Sequence, residues 1–495
     1  MVVGAFVLSR VAYAAAGVRF DAQALHPAGP SQDQWQLLDV HLLAHHLVSS
    51  LWYLNSQPPL ENLFCGILLH LPMGLQQPVA AACFLVLGLT LACSTYLLLL
   101  ELHVPVWAGI VLSLIVVLNP ATILFENWLS WSYPAAVLLT AGSYCSVRFL
   151  RTRHSGWGLA GFACFAAVVL DDTTYQWPWL AVVVVVLLVA MRSSWRHVLA
   201  LAAIPVLLVA GWYAKDAFLF GMDTTSSWVG MNLASTTLSL APRSQLTALL
   251  HAGRISPIVS EGTFAAVSRY DPRFVRVSSS GARALHARFK ADGATNFNNL
   301  VYVAVSNQFL HDDVAYITSH PVEYVRNASL GARVWFVPPD QYPMASGTNA
   351  ENLADIAGYM KAFDVAIFWQ DHQDPRVGYR AATTGVAPRA GVLSYSTIAV
   401  YLMAALSAPF AVYRRRKNRA FAGTMTVMLL TVAYSYVSTS LISLGENMRF
   451  QFELGSLPVA VAAGALTALL RTRHTSSSAD EIRTEDGPVP AEAAR

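Results

Sequence analysis

The sequence predicts an all-α polytopic membrane protein: about ten transmembrane helices with outer juxtamembrane helices and a mixed outer domain. Three observations predict it. First, 55% of the 495 residues are hydrophobic and only 12% are charged, too apolar a balance for an ordinary soluble enzyme. Second, the apolarity comes in blocks. "PVAAACFLVLGLTLACSTYLLLL" (Pro78 to Leu100) is uncharged over more than the roughly 20 residues that cross a bilayer, and it lacks the polar stripe of a soluble core helix. Third, arginine-rich clusters punctuate the blocks at intervals that fit one orientation.

Taken in order, the predicted spans are Met1–Gly17, Pro78–Glu101, Trp107–Ile123, Pro134–Leu150, Gly156–Leu170 and Pro178–Met191. His197–Tyr213, Val392–Tyr413, Phe421–Leu444 and Leu457–Leu470 follow. The first block has a blurred small-residue cleavage pattern and reads as a retained span rather than a removed signal. With ten spans and both termini cytoplasmic, Arg151–His154, Arg192–His197, Arg414–Arg419 and Arg471–His474 all fall on one side. The positive-inside rule makes that side the cytoplasm of a plasma (inner) membrane.

The chain then divides into an N-terminal membrane module (1–213, spans 1–7, with a first outer loop at 19–77) and an extracytoplasmic domain (214–390). A C-terminal membrane module (391–473, spans 8–10) and a disordered cytoplasmic tail (474–495) complete it. The outer segment is too polar to span and too hydrophobic for a disordered linker, whereas the tail is acidic and rich in Pro and Ala. A net charge of +3 is too small to suggest nucleic acid as a partner. Cys65, Cys83, Cys93, Cys145 and Cys164 lie in or beside apolar segments without a CxxC pair. They predict neither a zinc site nor a disulfide framework.

Asp21, Asp33, Asp39, Glu61, Glu126, Asp171, Asp172 and Glu446, with Arg449, gather at the outer ends of the spans. Ionisable groups at a membrane boundary cost free energy unless paired or facing a cavity, which makes them site candidates. Asp39, Leu43 and His46 share a helical face with Gln36 one turn earlier. This predicts an amphipathic surface helix over Gln34–Leu54, with Trp35, Trp52 and Tyr53 as anchors. Gln57-Pro58-Pro59-Leu60 then ends it as a turn.

These stretches resemble the GT-C glycosyltransferases. "LLD" with "YLNSQPPLENL" (Tyr53 to Leu63) is similar to their first outer loop, and "NPATILFENWLSWSYP" to the second. "FGMDTTSSWVGMNL" (Phe220 to Leu233) resembles the start of the large outer loop, and "GENMRF" the last outer turn. The chain departs at Asn55, where a histidine is common, and carries no Asp-x-Asp motif, so a divalent metal cofactor stays open. The resemblance implies inverting transfer of a sugar from a polyprenyl-phosphate donor to a glycan, lipid or protein acceptor of the cell envelope. Such a reaction needs a base for the acceptor hydroxyl and positive charge for the departing phosphate.

On that reading Asp39 is the base, with Asp21 and Asp33 as its rivals, and Glu126 assists. Arg449, whose planar fork suits phosphate, binds the donor with Lys215, Glu446 and Gln57. The bland alternatives are an Arg449–Glu446 i,i+3 ion pair, Asp171 and Asp172 as caps, and tryptophans as membrane-belt residues. A transporter or flippase for a lipid-linked or amphipathic solute is the alternative function. It predicts charges near the bilayer midplane in broken helices of related halves.

Overall fold

Every predicted apolar block becomes a helix, but the loops between them hold more helix than expected. The computed structural model describes residues 1–272, 282–342 and 348–485, with side chains to residue 471. It is 73% helix, with no strand among the described residues.

The first block forms α1 (Val2–Ala15). The predicted surface helix over Gln34–Leu54 is instead two short helices, α2 (Val40–His45) and α3 (Leu47–Trp52), broken at His46. Asp39 does not ride on a helical face. Its Oδ1 accepts the His41 N–H at 2.9 Å, making Asp39 the N-cap. The Pro-Pro pair is also corrected from a turn to a helix start. Pro59 opens α4 (Pro59–Leu69), in the first turn, where a missing N–H loses no helical bond.

The membrane bundle continues with α5 (Met73–Glu101), α6 (Val106–Leu118), α7 (Pro120–Glu126), α8 (Ser132–Thr152), α9 (Ser155–Asp171), α10 (Trp177–Ala190) and α11 (Trp195–Phe220). The predicted span Trp107–Ile123 is not straight: α6 and α7 meet at 53°. Pro120 biases Asn119 away from helical torsions, and the Asn119 side chain caps α7 by accepting the Ala121 N–H.

The segment between α11 and α20, expected on the outer face, carries α12 (Val229–Leu233), α13 (Arg243–His251), α14 (Arg283–His286), α15 (Leu300–Ser319), α16 (Pro321–Val334), α17 (Thr348–Asp355), α18 (Ala357–Phe363) and α19 (Val377–Thr384). Then come α20 (Tyr395–Arg414), α21 (Arg419–Ile442), α22 (Asn447–Glu453) and α23 (Leu457–Glu485). The last helix runs past 474, into the predicted disordered tail. Residues 486–495 of that tail lie outside the described residues.

Among the described residues four helices are long and apolar enough to cross a membrane: Met73–Glu101, Arg192–Phe220, Tyr395–Arg414 and Arg419–Ile442. The number is six if the bent pairs α6–α7 and α22–α23 each count as one span. Several other predicted spans are too short for the criterion. Val2–Ala15 and Trp177–Ala190 have 14 residues each, about 21 Å of helix against the roughly 30 Å of a hydrocarbon core. The chain is thus an all-α, multi-pass membrane protein by its helices.

Packing divides into layers. The largest core joins α8–α11 with α20, α21 and α23 through residues such as Phe149, Phe162, Phe165 and Trp179. A second core sets the chain between α1 and α4 against α4, α5, α7 and α8. The outer segment has its own aromatic core around Trp228, Phe297, Tyr302 and Phe309. Helices α8 and α9 approach closely because Gly142 has no side chain; a Cβ there would meet the Phe165 ring at 2.8 Å.

Candidate functional site

Three of the sequence candidates meet at one cavity. Arg449 sits in the short helix α22, entered through Gly445 at φ +115°. Its buried guanidinium is nearly saturated. Nη1 donates to Glu453 Oε1 at 2.7 Å and to Ser132 Oγ at 3.1 Å. Nε and Nη2 both donate to one oxygen, Glu446 Oε2, at 3.2 and 2.8 Å. The expected i,i+3 pair is therefore present, and Glu453 at i+4 adds a second partner. The guanidinium carbon also lies 4.9 Å from the Trp131 ring centroid, a cation–π distance.

Arg449 and Glu446 line a cavity of about 460 Å³ with Gln57, Trp35, Trp131 and Trp228. The first outer loop, the α9–α10 turn, α12 and the end of α21 all contribute walls. Across Trp131 lies a second, strongly apolar cavity of about 660 Å³ between α4, α5 and α8. Among its lining residues only Glu61 and Asp171 are acidic, and none is basic. A tryptophan thus forms a shared wall between a polar chamber and a greasy groove.

Behind that wall the carboxyl groups of Glu61, Asp171, Asp172 and Glu453 are close enough to act on one another electrostatically. Asp171 ends α9 and Asp172 is its C-cap, so neither starts α10. Asp172 Oδ1 accepts the Thr174 N–H at 2.8 Å, while Asp171 Oδ2, Asp172 Oδ2 and Glu453 Oε2 meet no donor. Glu61 Oε1 accepts from Gln34 Nε2 at 3.2 Å. Burial pushes the Glu61 carboxyl up to about 8, against the opposing pull of Arg449.

The remaining candidates lie elsewhere. Asp39 uses both oxygens on backbone, taking the N–H of His41 and, through Oδ2, that of Ala291 at 3.1 Å. Next to it Lys290 binds both oxygens of Asp33 at 2.7 and 2.8 Å and the carbonyls of Gln34 and Leu37. This clip fastens the outer segment to the first loop. Burial outweighs Lys290 and raises Asp33 to about 6.

Glu126 is locked by Arg10, which donates Nε and Nη2 to its two oxygens at 2.9 and 2.5 Å, and by the Tyr133 hydroxyl at 2.7 Å. Asp21 Oδ1 accepts the Gln23 N–H. Lys215 pairs with Asp216 at 2.6 Å, donates to the Leu54 carbonyl and sits over the Trp212 ring. None of Asp21, Asp33, Asp39, Glu126 and Lys215 lines the Arg449 cavity.

Glu453 was not among the sequence candidates, although its i+4 spacing from Arg449 was a usable signal. Glu61 stands among the candidate acids of the sequence but without an assigned role, because only the packing of α4 against α9 brings it to Asp171. Among the described residues no three His, Cys, Asp or Glu side chains gather as a metal-ligand set. All five cysteines are free thiols. Comparison with protein-family models gives no match, and comparison with curated proteins gives no relative.

Proposed function

We propose that this protein is an inverting glycosyltransferase of GT-C type. It would move a sugar from a polyprenyl-phosphate donor to an acceptor of the cell envelope, on the outer face of the membrane. One observation carries the reading: a polar, tryptophan-walled cavity and an apolar groove share the Trp131 wall, with Arg449 against it. That shape suits an amphiphile with an isoprenoid tail, a phosphate and a sugar. The tail fills the groove, the phosphate meets the arginine fork, and the sugar occupies the chamber, where aromatic faces bound it.

In this reading the base is Glu61 rather than Asp39 or Glu126, whose oxygens are already engaged. Glu61 lines the groove beside Trp131 and not the chamber, so the acceptor hydroxyl would meet it at that shared wall. Gln34 donates to only one Glu61 oxygen. The Glu61 carboxylate removes the acceptor hydroxyl proton as that oxygen bonds to the anomeric carbon. The anomeric carbon–phosphate oxygen bond breaks, and the phosphate leaves with its charge toward Arg449. Glu446, whose side chain is 42% exposed, holds the fork until phosphate displaces it. Gln57 faces the donor from the first outer loop.

A flippase for the same lipid is the second reading, because Arg449 lies in a helix pair bent by 58°, and broken helices build transporter sites. The test reconstitutes wild type, Glu61→Gln and Arg449→Lys in vesicles with a panel of radiolabelled polyprenyl-phosphate sugars. Label should reach an acceptor with wild type and fall by about 10²–10⁴-fold in Glu61→Gln. Label that crosses the bilayer but never leaves its lipid would replace the transferase with the flippase.

A further inference from the structure

Away from that cavity the outer segment buries a second group of polar atoms. Asp340 lies in the 3-10 turn Pro339–Gln341, and Asp364 opens a single π-type turn, Asp364–Phe368, directly after α18. Asp340, Asp364 and Gln370 are 0%, 1% and 2% exposed. The two carboxyl groups face each other within hydrogen-bonding range.

Asp364 Oδ2 accepts from Gln341 Nε2 at 3.4 Å and from Gln373 Nε2 at 3.1 Å. Asp340 Oδ1 and Oδ2, Asp364 Oδ1 and Gln370 Oε1 meet no well-aligned donor; the N–H groups that approach the Asp340 carboxyl are its own and that of Gln341. Gln370 is held in orientation, because its Nε2 donates to the His372 carbonyl. Asp364 and Gln370 line a cavity of about 210 Å³, with Asp371, His372 and Lys361 exposed around it.

Buried acceptors are ordinarily paired, and adjacent buried carboxylates require positive charge between them. A proton shared by Asp340 and Asp364 is the simplest supply, and burial does push Asp340 well above the usual carboxylate range. One proton, however, leaves the Gln370 carbonyl without a partner.

We propose that Asp340, Asp364 and the Gln370 carbonyl bind a hard divalent cation, calcium before magnesium. The buried donors are all oxygens, which selects hard cations over zinc or copper. Calcium accepts carboxylates mixed with amide carbonyls and water in irregular geometry, whereas magnesium demands a near-ideal octahedron. With only two buried carboxylates, the amide oxygen is needed to complete the protein ligands.

The site has a consequence for the main cavity, although it does not depend on the sugar-transfer reading. Asp340 is two residues from Tyr342, whose ring lies 6.0 Å from the Arg449 guanidinium and stacks on Phe125 at 6.3 Å. A bound cation fixes the turn that holds Tyr342 against Arg449.

The test uses the full chain in detergent, stripped with EDTA and titrated with calcium or magnesium chloride to about 10 mM. Unfolding temperature is followed by intrinsic fluorescence. Wild type should show a saturable rise of several degrees with calcium and less with magnesium. Asp364→Asn should abolish the rise, and Gln370→Leu should weaken apparent affinity by about tenfold or more. Should Asp364→Asn fail to fold, Gln370→Leu alone gives the comparison, since it keeps both carboxylates. The proposal is overturned if neither metal moves wild type, or if the variants respond as wild type does. It is equally overturned if metal-free Asp364→Asn outlasts wild type and neither responds to metal, the signature of a shared proton.

Discussion

Two arginines are buried beside glutamates in this molecule, and they are built differently. Arg10 meets Glu126 fork to fork, one oxygen per nitrogen, and its Nη1 is also used, on Ser9 and the Val117 carbonyl. The side chains are 11% and 1% exposed, and the Tyr133 hydroxyl adds a third donor to Glu126, although the pair also lines an apolar cavity of about 540 Å³. Arg449 presents its Nε–Nη2 edge to a single oxygen of Glu446, whose side chain is 42% exposed and lines a cavity. The first pair has finished its bonding; the second holds one edge with a partner that solvent, or a ligand, can displace. Charge near a membrane is therefore a poor guide to function until one knows which of its hydrogen bonds are exchangeable.

The largest expected effect on activity separates the two arginines. Arg449→Ala should lower sugar transfer by about 10²–10³-fold, while Arg10→Ala should leave the rate per folded molecule within a few-fold. Stability should not separate them. Arg10→Ala strands Glu126 and should cost about 3–5 kcal/mol, read as a fall in the detergent unfolding temperature, and Arg449→Ala likewise strands the fully buried Glu453. Loss of transfer in Arg10→Ala at equal folded protein would break the distinction.

Next in size is the pH profile. A base at Glu61 works only when ionised, so transfer should rise with pH and level off near the value of about 8 that burial gives this carboxyl. Residual activity of Glu61→Gln should lack that limb. An unchanged profile in the variant would send the base assignment back to Asp39 or another acid.

Glu446→Gln sharpens the comparison from the other side. Removing the charge that competes for the Arg449 edge should lower the donor KM by roughly tenfold, with kcat little changed. A raised KM would mean Glu446 helps to hold the donor instead.

Asp39→Ala removes a helix cap and should cost about 1 kcal/mol with the transfer rate nearly kept. A loss of the scale expected for Glu61 would restore Asp39 as the base.

A separate effect, on stability alone, concerns a buried acid whose hydrogen-bond partner is a hydroxyl rather than a cation. Asp313 accepts from Thr237 Oγ1 at 2.5 Å, and burial raises it from 3.8 to about 8. It binds its proton more tightly folded than unfolded. Its contribution to stability is therefore complete below about pH 4 and is lost as pH rises through about 8. Asp313→Asn should flatten the decline in unfolding temperature between about pH 5 and pH 9; an unaltered decline would place that slope elsewhere.

Much of the bundle was legible because apolar blocks report helices directly. What was not legible were interruptions. The bend at Asn119 depends on one proline inside an otherwise continuous apolar run, and the break at His46 (φ −139°) has no proline or glycine beside it to announce it. At the site, Arg449, Glu446 and Gln57 could be picked from short motifs, and all three line one cavity. Asp39, Glu126 and Lys215 carried equal weight in the sequence, but Ala291, Arg10 and Leu54, which complete their bonding beyond the local partners, lie from 116 to 252 residues away. No local pattern announces a partner at that separation. Glu61 and Asp171 show the converse: each sits in an unremarkable local context, and only the packing of α4 beside α9 joins them.

The groove beside Trp131 sets a limit on what could be recognised there. At about 660 Å³ it belongs with pockets that enclose a drug-sized molecule, far less than a whole polyisoprenoid tail occupies. Selection by such a groove would act on the first few isoprene units next to the phosphate and ignore the length beyond. Truncated, water-soluble analogues should then compete with the natural amphiphile, which would free the enzymology from vesicles.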